Sequence, residues 1–180
     1  MIAGAFGNNN LLRVKLGNGL KIIGDSAFAK NSRLGRIEIP DSVNRIGRGA
    51  FADCGLVELK LGNGLQVIGR NAFQNNNLRS VIIPNSVTEI GSLAFMDNKT
   101  LTTVVIPPSM ADTRGVRLFG ITVLGSGIFH GCNLTNVTLP VNMSENGLAE
   151  FEEGLQNFYI SQGKRAGTYI KNGPVWTLGQ

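Results

Sequence analysis

Residue types that commonly perform catalysis are sparse in this 180-residue chain. The one histidine, His130, lies in a glycine-containing segment, residues 125–131, whose spacing departs from that of a phosphate-binding loop. One histidine cannot supply a metal cluster, and no serine, aspartate or cysteine accompanies it at a spacing typical of a catalytic site. The carboxylates are scattered and form no pair by pattern. We therefore expect a non-enzymatic protein with no catalytic residue, no metal site and no cofactor.

The charge of the chain is positive and uneven. The formal net charge is +5, and residues 1–80 hold 11 basic against 5 acidic side chains. A basic half could meet nucleic acid or an acidic surface. However, no aromatic residues interleave with these charges and no nucleic-acid motif is present, so we expect a solvated surface and no nucleic-acid binding.

The sequence does not contain a membrane span or a visible signal peptide. No segment approaches the ~20 apolar residues that a span requires. Residues 1–6 lack both a basic region and a long apolar region. The sequence therefore leaves two localisations open: the protein stays inside the cell (cytoplasmic or periplasmic), or an export signal lies upstream.

Phenylalanine marks an internal repeat. From Phe6 to Phe95 one phenylalanine recurs at intervals of 22, 23, 22 and 22 residues, and Phe129 follows after an enlarged interval of 34. Leucine, branched apolar residues and an Ile-Gly pair recur at fixed offsets from each phenylalanine. One such unit cannot bury its own apolar edge, so successive units must stack into one shared core. The column contains Phe6, Phe28, Phe51, Phe73, Phe95 and Phe129.

Each repeat contains a short L-x-x-V-x-I run that predicts a β-strand. Successive strands would pair in parallel, ~4.8 Å apart. Proline ends the strand in some repeats, whereas Gly-Asn-Gly turns, residues 17–19 and 62–64, take that place in the alternate repeats.

A second column holds asparagine or cysteine three residues after each phenylalanine. Such a side chain can bond to the backbone of the adjacent coil and satisfy polar groups that the sheet leaves without partners. The two cysteines are three coils apart, about 14 Å by strand spacing, which is too far for a disulfide. We predict a structural ladder formed by Asn9, Asn31, Cys54, Asn76, Asn98 and Cys132.

The repeat resembles the leucine-rich repeat of the Treponema pallidum type, also called BspA-like. The resemblance covers residues 2–140 and rests on I-P-D-S-V-N-R-I-G-R-G-A-F-A-D-C at 39–54 and I-P-N-S-V-T-E-I-G-S-L-A-F at 83–95. It implies an α/β-poor repeat solenoid, a right-handed leucine-rich-repeat coil with a parallel β-sheet. It also implies a bacterial surface or secreted protein that takes part in adhesion and protein contacts.

The chain is expected to divide into a solenoid, residues 1–142, and a C-terminal cap, residues 143–180. Leu148, Phe151, Leu155 and Phe158 recur at helical spacing and predict one apolar helix face. A hairpin with Asn-Gly at its turn follows. We expect this cap to cover the last strand edge, with a partner-binding helix as the alternative.

The outward positions of the strands change from charged to apolar along the coil. We expect a protein partner to bind an apolar patch there, to which an insertion near residues 111–123 adds contacts; the alternative is that branched residues merely suit strands. The candidate contacts are Ile82, Val105, Val57, Leu118 and Phe119, and the basic face holds Arg13, Lys15, Arg36 and Lys60.

The N-terminal end of the predicted coil has no cap. Ile2, Ala5 and Phe6 already belong to a truncated first repeat. An open apolar end invites pairing with another copy or with upstream sequence. The alternative function is therefore a structural or self-assembling surface element, a homo-oligomer joined through this edge.

Overall fold

The computed structural model describes residues 4–110, 123–124, 126–141, 143 and 151–179. This part of the chain folds as a parallel-sheet solenoid that ends in one short helix and a hairpin, which confirms the predicted fold class. Several predicted features lie outside the described residues, namely Leu118, Phe119, Gly125 and residues 144–150.

The described elements are mostly two to four residues long. A 3-10 turn, Pro108–Met110, follows the eighth strand. In chain order the strands and helix are β1 (Ile22–Ile23), β2 (Arg36–Glu38), β3 (Arg45–Ile46), β4 (Glu58–Lys60), β5 (Val67–Ile68), β6 (Ser80–Ile82), β7 (Glu89–Ile90), β8 (Thr103–Val105), β9 (Val123–Leu124), β10 (Asn136–Leu139), α1 (Glu153–Ser161), β11 (Gly167–Asn172) and β12 (Val175–Leu178).

The isoleucine of each Ile-Gly pair and the residue before it build a second parallel sheet, which was not predicted from the sequence. Strands β1, β3, β5, β7 and β9 pair in that order, with Ile23 opposite Ile46 and Ile68 opposite Ile90. Two-residue strands are too short to show an alternating pattern, and they form here because stacking brings equivalent residues side by side. From the second coil onward, the coils thus have two pairing segments, one on each side of the core.

The predicted outer sheet is present but interrupted. Strands β2 and β4 form a separate parallel pair, whereas β6, β8 and β10 continue into β11 and β12. The first repeat, around Val14, forms no strand, although its sequence fits the same pattern. The prediction of a strand in every repeat was wrong at this end, where no described coil lies before Val14 to pack against it.

The phenylalanine column forms a row of parallel stacked rings through the core. Neighbouring ring centroids are 5.2 to 5.8 Å apart, from Phe6 to Phe129. Phe151 continues the row, 5.6 Å from Phe129. This corrects the prediction that Phe151 belongs to the helix face, because α1 begins only at Glu153. The row therefore runs from the first coil into the cap.

Each coil turns sharply on both sides of its phenylalanine. The residue two positions after the ring has a positive φ in every described repeat, which explains why asparagine and aspartate recur there. Lys30 is the exception in residue type, with φ of 60°. The column contains Asn8, Lys30, Asp53, Asn75, Asp97 and Gly131.

The cap packs against the last coil through two aromatic side chains. The Tyr159 hydroxyl accepts a hydrogen bond from the backbone N–H of Met143 at 2.9 Å and donates to the carbonyl of Pro140. Tyr159 and Tyr169 are fully buried with ring centroids 5.5 Å apart. Their contacts anchor α1 and the hairpin to the end of the solenoid.

Two details of the cap differ from what its sequence predicts. Asn172 pairs with Val175, so the turn is Gly173-Pro174 and not Asn-Gly. The hairpin also does not simply cover the last strand edge. Strand β11 pairs antiparallel with β10, and β12 pairs with β11, so the hairpin extends the outer sheet by two strands.

Candidate protein-binding face

The outward side of the sheet formed by β6, β8, β10, β11 and β12 is uncharged. In register, Ile82 lies opposite Val105, which lies opposite Thr138, and Thr138 lies opposite Thr168. A second row runs parallel to the first, two residues along each strand. We call this surface the neutral face; it consists of Ser80, Ile82, Thr103, Val105, Asn136, Thr138, Thr168, Ile170 and Thr177.

Ile82 is the most exposed large apolar side chain of the neutral face, at 68%. Its neighbour Val105 is half-buried, and the Thr138 and Thr168 hydroxyls bond to each other at 2.8 Å. This hydroxyl pair uses hydrogen-bonding capacity that would otherwise go to water. The neutral face is therefore composed mainly of threonine and branched apolar side chains, among which Ile82 stands exposed.

The neutral face is larger than the sequence predicted. Thr168, Ile170 and Thr177 belong to the cap and were not predicted as contact residues. Part of the signal was present, because residues 166–170 and 175–178 were predicted as the two strands of a hairpin. Nothing local showed that this hairpin would pair with β10, since that pairing joins residues about 30 positions apart.

Val57 was grouped with Ile82 and Val105, but the structure places it differently. It lies one residue before β4, where its N–H donates to the carbonyl of Gly35 at 2.7 Å. By strand alternation it shares the phase of the half-buried Leu59, not that of the outward Glu58. Val57 is half-buried and is not part of the neutral face.

The outward side of the first coils is charged and mixed in sign. Arg13, Lys15 and Arg36 are exposed. Lys60 forms an ion pair with Glu38, and this hydrogen bond raises the pKa of Lys60. Arg36 lies opposite Glu58 in register. The predicted basic face is thus a charged face in which two carboxylates offset part of the positive charge; it borders a groove of about 750 Å³.

The asparagines of the ladder connect successive coils. The amide nitrogen of Asn76 donates to the carbonyls of Phe51 and Phe73, at 2.9 and 3.0 Å. Its oxygen accepts from the N–H groups of Cys54 and Leu56 at 3.1 and 2.9 Å. Asn31 makes the same four kinds of contact, and Asn98 makes three of them. A buried amide with all its groups bonded holds two coils in one register.

Asn9 and the cysteines occupy the same column with fewer bonds. The exposed Asn9 side chain donates only to Gly7 of its own coil. Each thiol donates to the phenylalanine carbonyl of the coil before its own: Cys54 to Phe28 at 3.1 Å and Cys132 to Phe95 at 3.3 Å. Burial raises the pKa of both thiols to about 11, so they remain protonated near neutral pH. Both cysteines are free.

The first coil exposes an apolar edge. The side chains of Phe6 and Leu12 are 53% and 56% exposed. An open pocket of about 700 Å³ lies against Val14 and Leu16. A Cβ added at Gly17 would meet nothing within 4 Å, whereas one added at the equivalent Gly62 would lie 2.5 Å from Pro40 of the preceding coil. The first coil thus has the residues of an internal coil without a described coil before it.

The groups most able to do chemistry are dispersed or already bonded. His130 is exposed, and the described residues contain no group of three or more metal-ligating side chains. Beside His130, a cavity of about 300 Å³ lies between part of the last coil and the cap. Burial alone would raise the pKa of Glu152 at its rim, but hydrogen bonds from Lys171 and Trp176 lower it. Glu152 therefore holds the cap together as a carboxylate.

The sequence profile of one family, described as the BspA type leucine-rich repeat region, matches residues 2–120 and 112–172, in 6 copies. The chain belongs to this family. BspA-type repeats and leucine-rich-repeat proteins in general are non-enzymatic modules with interaction or structural roles, they typically bind proteins, and the BspA-like family is common at bacterial surfaces. Among the helices that the structure describes, none has the length and apolar character to cross a membrane.

Solved structures of other leucine-rich-repeat proteins resemble this BspA-type chain. The T. pallidum protein TpLRR is 32% identical with a TM-score of 0.71, and the match covers 89% of this chain and 75% of that one. A protein from Bacteroides ovatus ATCC 8483 is 33% identical with a TM-score of 0.69, over 80% of this chain and 36% of that one. The chain therefore spans about a third of the second structure. No curated protein matches it significantly.

Proposed function

We propose that this protein binds a protein partner through the neutral face, as an adhesin-like module at a bacterial surface. The observation that carries the proposal is the exposure of Ile82, at 68%, within a sheet face that has no charged side chain. Contact sites on proteins are depleted of charge at their centre and rimmed by polar groups. Charged residues occupy the same outward positions in β2 and β4, so the fold itself does not require neutral ones.

The proposal predicts which substitutions interfere with binding. Ile82→Asp and Val105→Asp place carboxylates at the centre of the face, and we expect either to weaken partner binding at least about tenfold, because a desolvated charge without a partner costs several kcal/mol. Lys60→Asp is the matched control on the charged face, since it also adds a carboxylate to an outward strand position. Binding is measured by calorimetry with a surface protein that the wild-type chain captures.

The two faces give opposite outcomes in this experiment. Loss with Ile82→Asp and retention with Lys60→Asp supports the neutral face. The reverse pattern would assign binding to the charged face that includes Arg13, Lys15 and Arg36. Leu118 and Phe119 remain candidate contacts of the inserted segment; replacing both with serine tests them separately.

The alternative function is a self-assembling surface element joined through the first coil. It is favoured by the exposed Phe6 and Leu12 and by the open space at Gly17. Covering such an edge with another apolar coil would remove water from the open pocket beside Val14. Leu12→Asp would abolish that assembly and leave partner binding through the neutral face unchanged.

A further inference from the structure

The hairpin leaves β12 at the edge of the outer sheet. The N–H of Gly179 donates to the carbonyl of Thr168 at 2.8 Å, which fixes the phase of the antiparallel ladder between β11 and β12. In this phase Thr177 bonds to β11, whereas the backbone groups of Trp176 and Leu178 point away from it. No described residue bonds to the N–H or C=O of Trp176 or Leu178.

Apart from its length of only four residues, strand β12 shows, among the described residues, none of the devices that normally protect a sheet edge. Natural edge strands contain lysine, proline or a bulge, or are covered by another element. The four residues Val-Trp-Thr-Leu include no charge and no proline, and they pair with β11 without a bulge. Helix α1 contacts the inner side of the strand, where Glu152 accepts from the Trp176 indole. Val175 is 58% exposed.

We propose that β12 pairs with β12 of a second copy of this chain, antiparallel, across a two-fold axis at Thr177. The two open residues stand symmetrically on either side of Thr177. In such a pair, Trp176 of one copy lies opposite Leu178 of the other, and each pair exchanges two backbone hydrogen bonds. Every open N–H and C=O of both strands then has a partner.

A second copy fits this edge because the strand is neutral. The whole chain has a formal charge of +5, so two copies repel each other at most surfaces. In the proposed register Thr177 faces Thr177 of the second copy and Trp176 faces Leu178, and both are favourable cross-strand pairs. The pairing also joins the neutral faces of two copies into one ten-stranded surface. This interface is distinct from the apolar edge of the first coil.

A disulfide tests the geometry directly. Thr177 would lie opposite its own copy in a pair that exchanges no hydrogen bonds, with Cα atoms about 4.5 Å apart, which is within the range of a disulfide. We expect Thr177→Cys to form a covalent dimer under mild oxidation. Thr168→Cys, an outward position on the interior strand β11, is the control and should remain monomeric. Cys54 and Cys132 are present in both variants.

Two solution measurements complete the test. Sedimentation of the wild-type chain should show a mass that rises with concentration, and Thr177→Asp, which places like charges opposite each other, should remain a monomer. Amide hydrogen exchange at Trp176 and Leu178 should slow as concentration rises. The proposal is overturned by any of three results: cross-linking of Thr177→Cys no faster than Thr168→Cys, association lost with Leu12→Asp but not with Thr177→Asp, or protection of these amides only by a foreign extended peptide.

Discussion

Asn76 donates its side-chain amide to the carbonyl oxygen of Phe51, 25 residues earlier in the chain, at 2.9 Å. The same nitrogen donates to Phe73 of its own coil. One side chain therefore bonds two turns of the solenoid at the level of the phenylalanine row. Because the row and the ladder both run along the coil axis, each coil is held to the one before it by ring stacking and by hydrogen bonds.

Replacing Asn76 with alanine should destabilise the fold by at least about 4 kcal/mol, because four backbone groups lose a partner. The change leaves buried carbonyl and N–H groups without partners, and each such group costs about 1–3 kcal/mol. Asn9→Ala is the matched control in the same column, because its exposed side chain bonds only to Gly7; it should cost less than about 1 kcal/mol. Urea unfolding followed by circular dichroism measures both, and equal costs would contradict the ladder.

Lys30→Gly should stabilise the protein by about 1 kcal/mol. Lys30 is exposed and has φ of 60°, a conformation that costs a non-glycine residue about 1–2 kcal/mol. Lys21→Gly removes the same charge at an exposed position outside the positive-φ column, so it should destabilise by about 0.5–1 kcal/mol. A thermal melt distinguishes the two, and a loss of stability in Lys30→Gly would show that the turn is not strained.

Stability should fall as pH rises above about 9. The pKa of Cys54 and that of Cys132 are raised by burial from 9.0 to about 11, and burial raises that of Tyr169 from 10.0 to about 12. Between these values the unfolded chain loses protons that the folded chain keeps. Deprotonation therefore favours unfolding, and the stabilisation that is complete below pH 9 is lost as pH rises toward 11.

This dependence is measured as the urea midpoint of unfolding at a series of pH values from 8 to 11. The series ends at pH 11 because the pKa of the folded-state thiols is about 11. A variant with both Cys54→Ala and Cys132→Ala should be less stable at pH 8 but lose stability less steeply. Thiol-modifying reagents should react slowly with the folded protein at pH 8. Rapid modification of Cys54 in the folded state would show that its slot opens to solvent.

Features that depend on one repeated position could be predicted from the sequence. The phenylalanine row, the alternation in β2 and β6, and the asparagine column all follow from spacing alone. The column predicted that Asn31 and Asn76 reach the neighbouring coil, and the structure supplies the partners. Such features are predictable because stacking brings equivalent residues of successive coils together.

Other features depend on which segments pair, and spacing does not reveal this. The second sheet arises from two-residue segments such as Val67–Ile68, which show no periodicity of their own. Phe151 fitted a helical spacing but joins the ring row, because stacking on Phe129 decides its position. The neutral face extends to Thr177 only because the cap hairpin pairs with β10. That pairing depends on the edge that β10 offers in the folded solenoid, which spacing along the chain does not reveal.

The most direct test of the stacked-coil account compares Gly62→Ala with Gly17→Ala, two positions of the same repeat column. A Cβ at Gly62 would lie 2.5 Å from the backbone of Pro40, whereas one at Gly17 would meet nothing within 4 Å. We predict a loss of about 2–3 kcal/mol for Gly62→Ala, because overpacking forces the coils apart, and no loss for Gly17→Ala. Equal urea midpoints for the two variants would contradict close coil stacking.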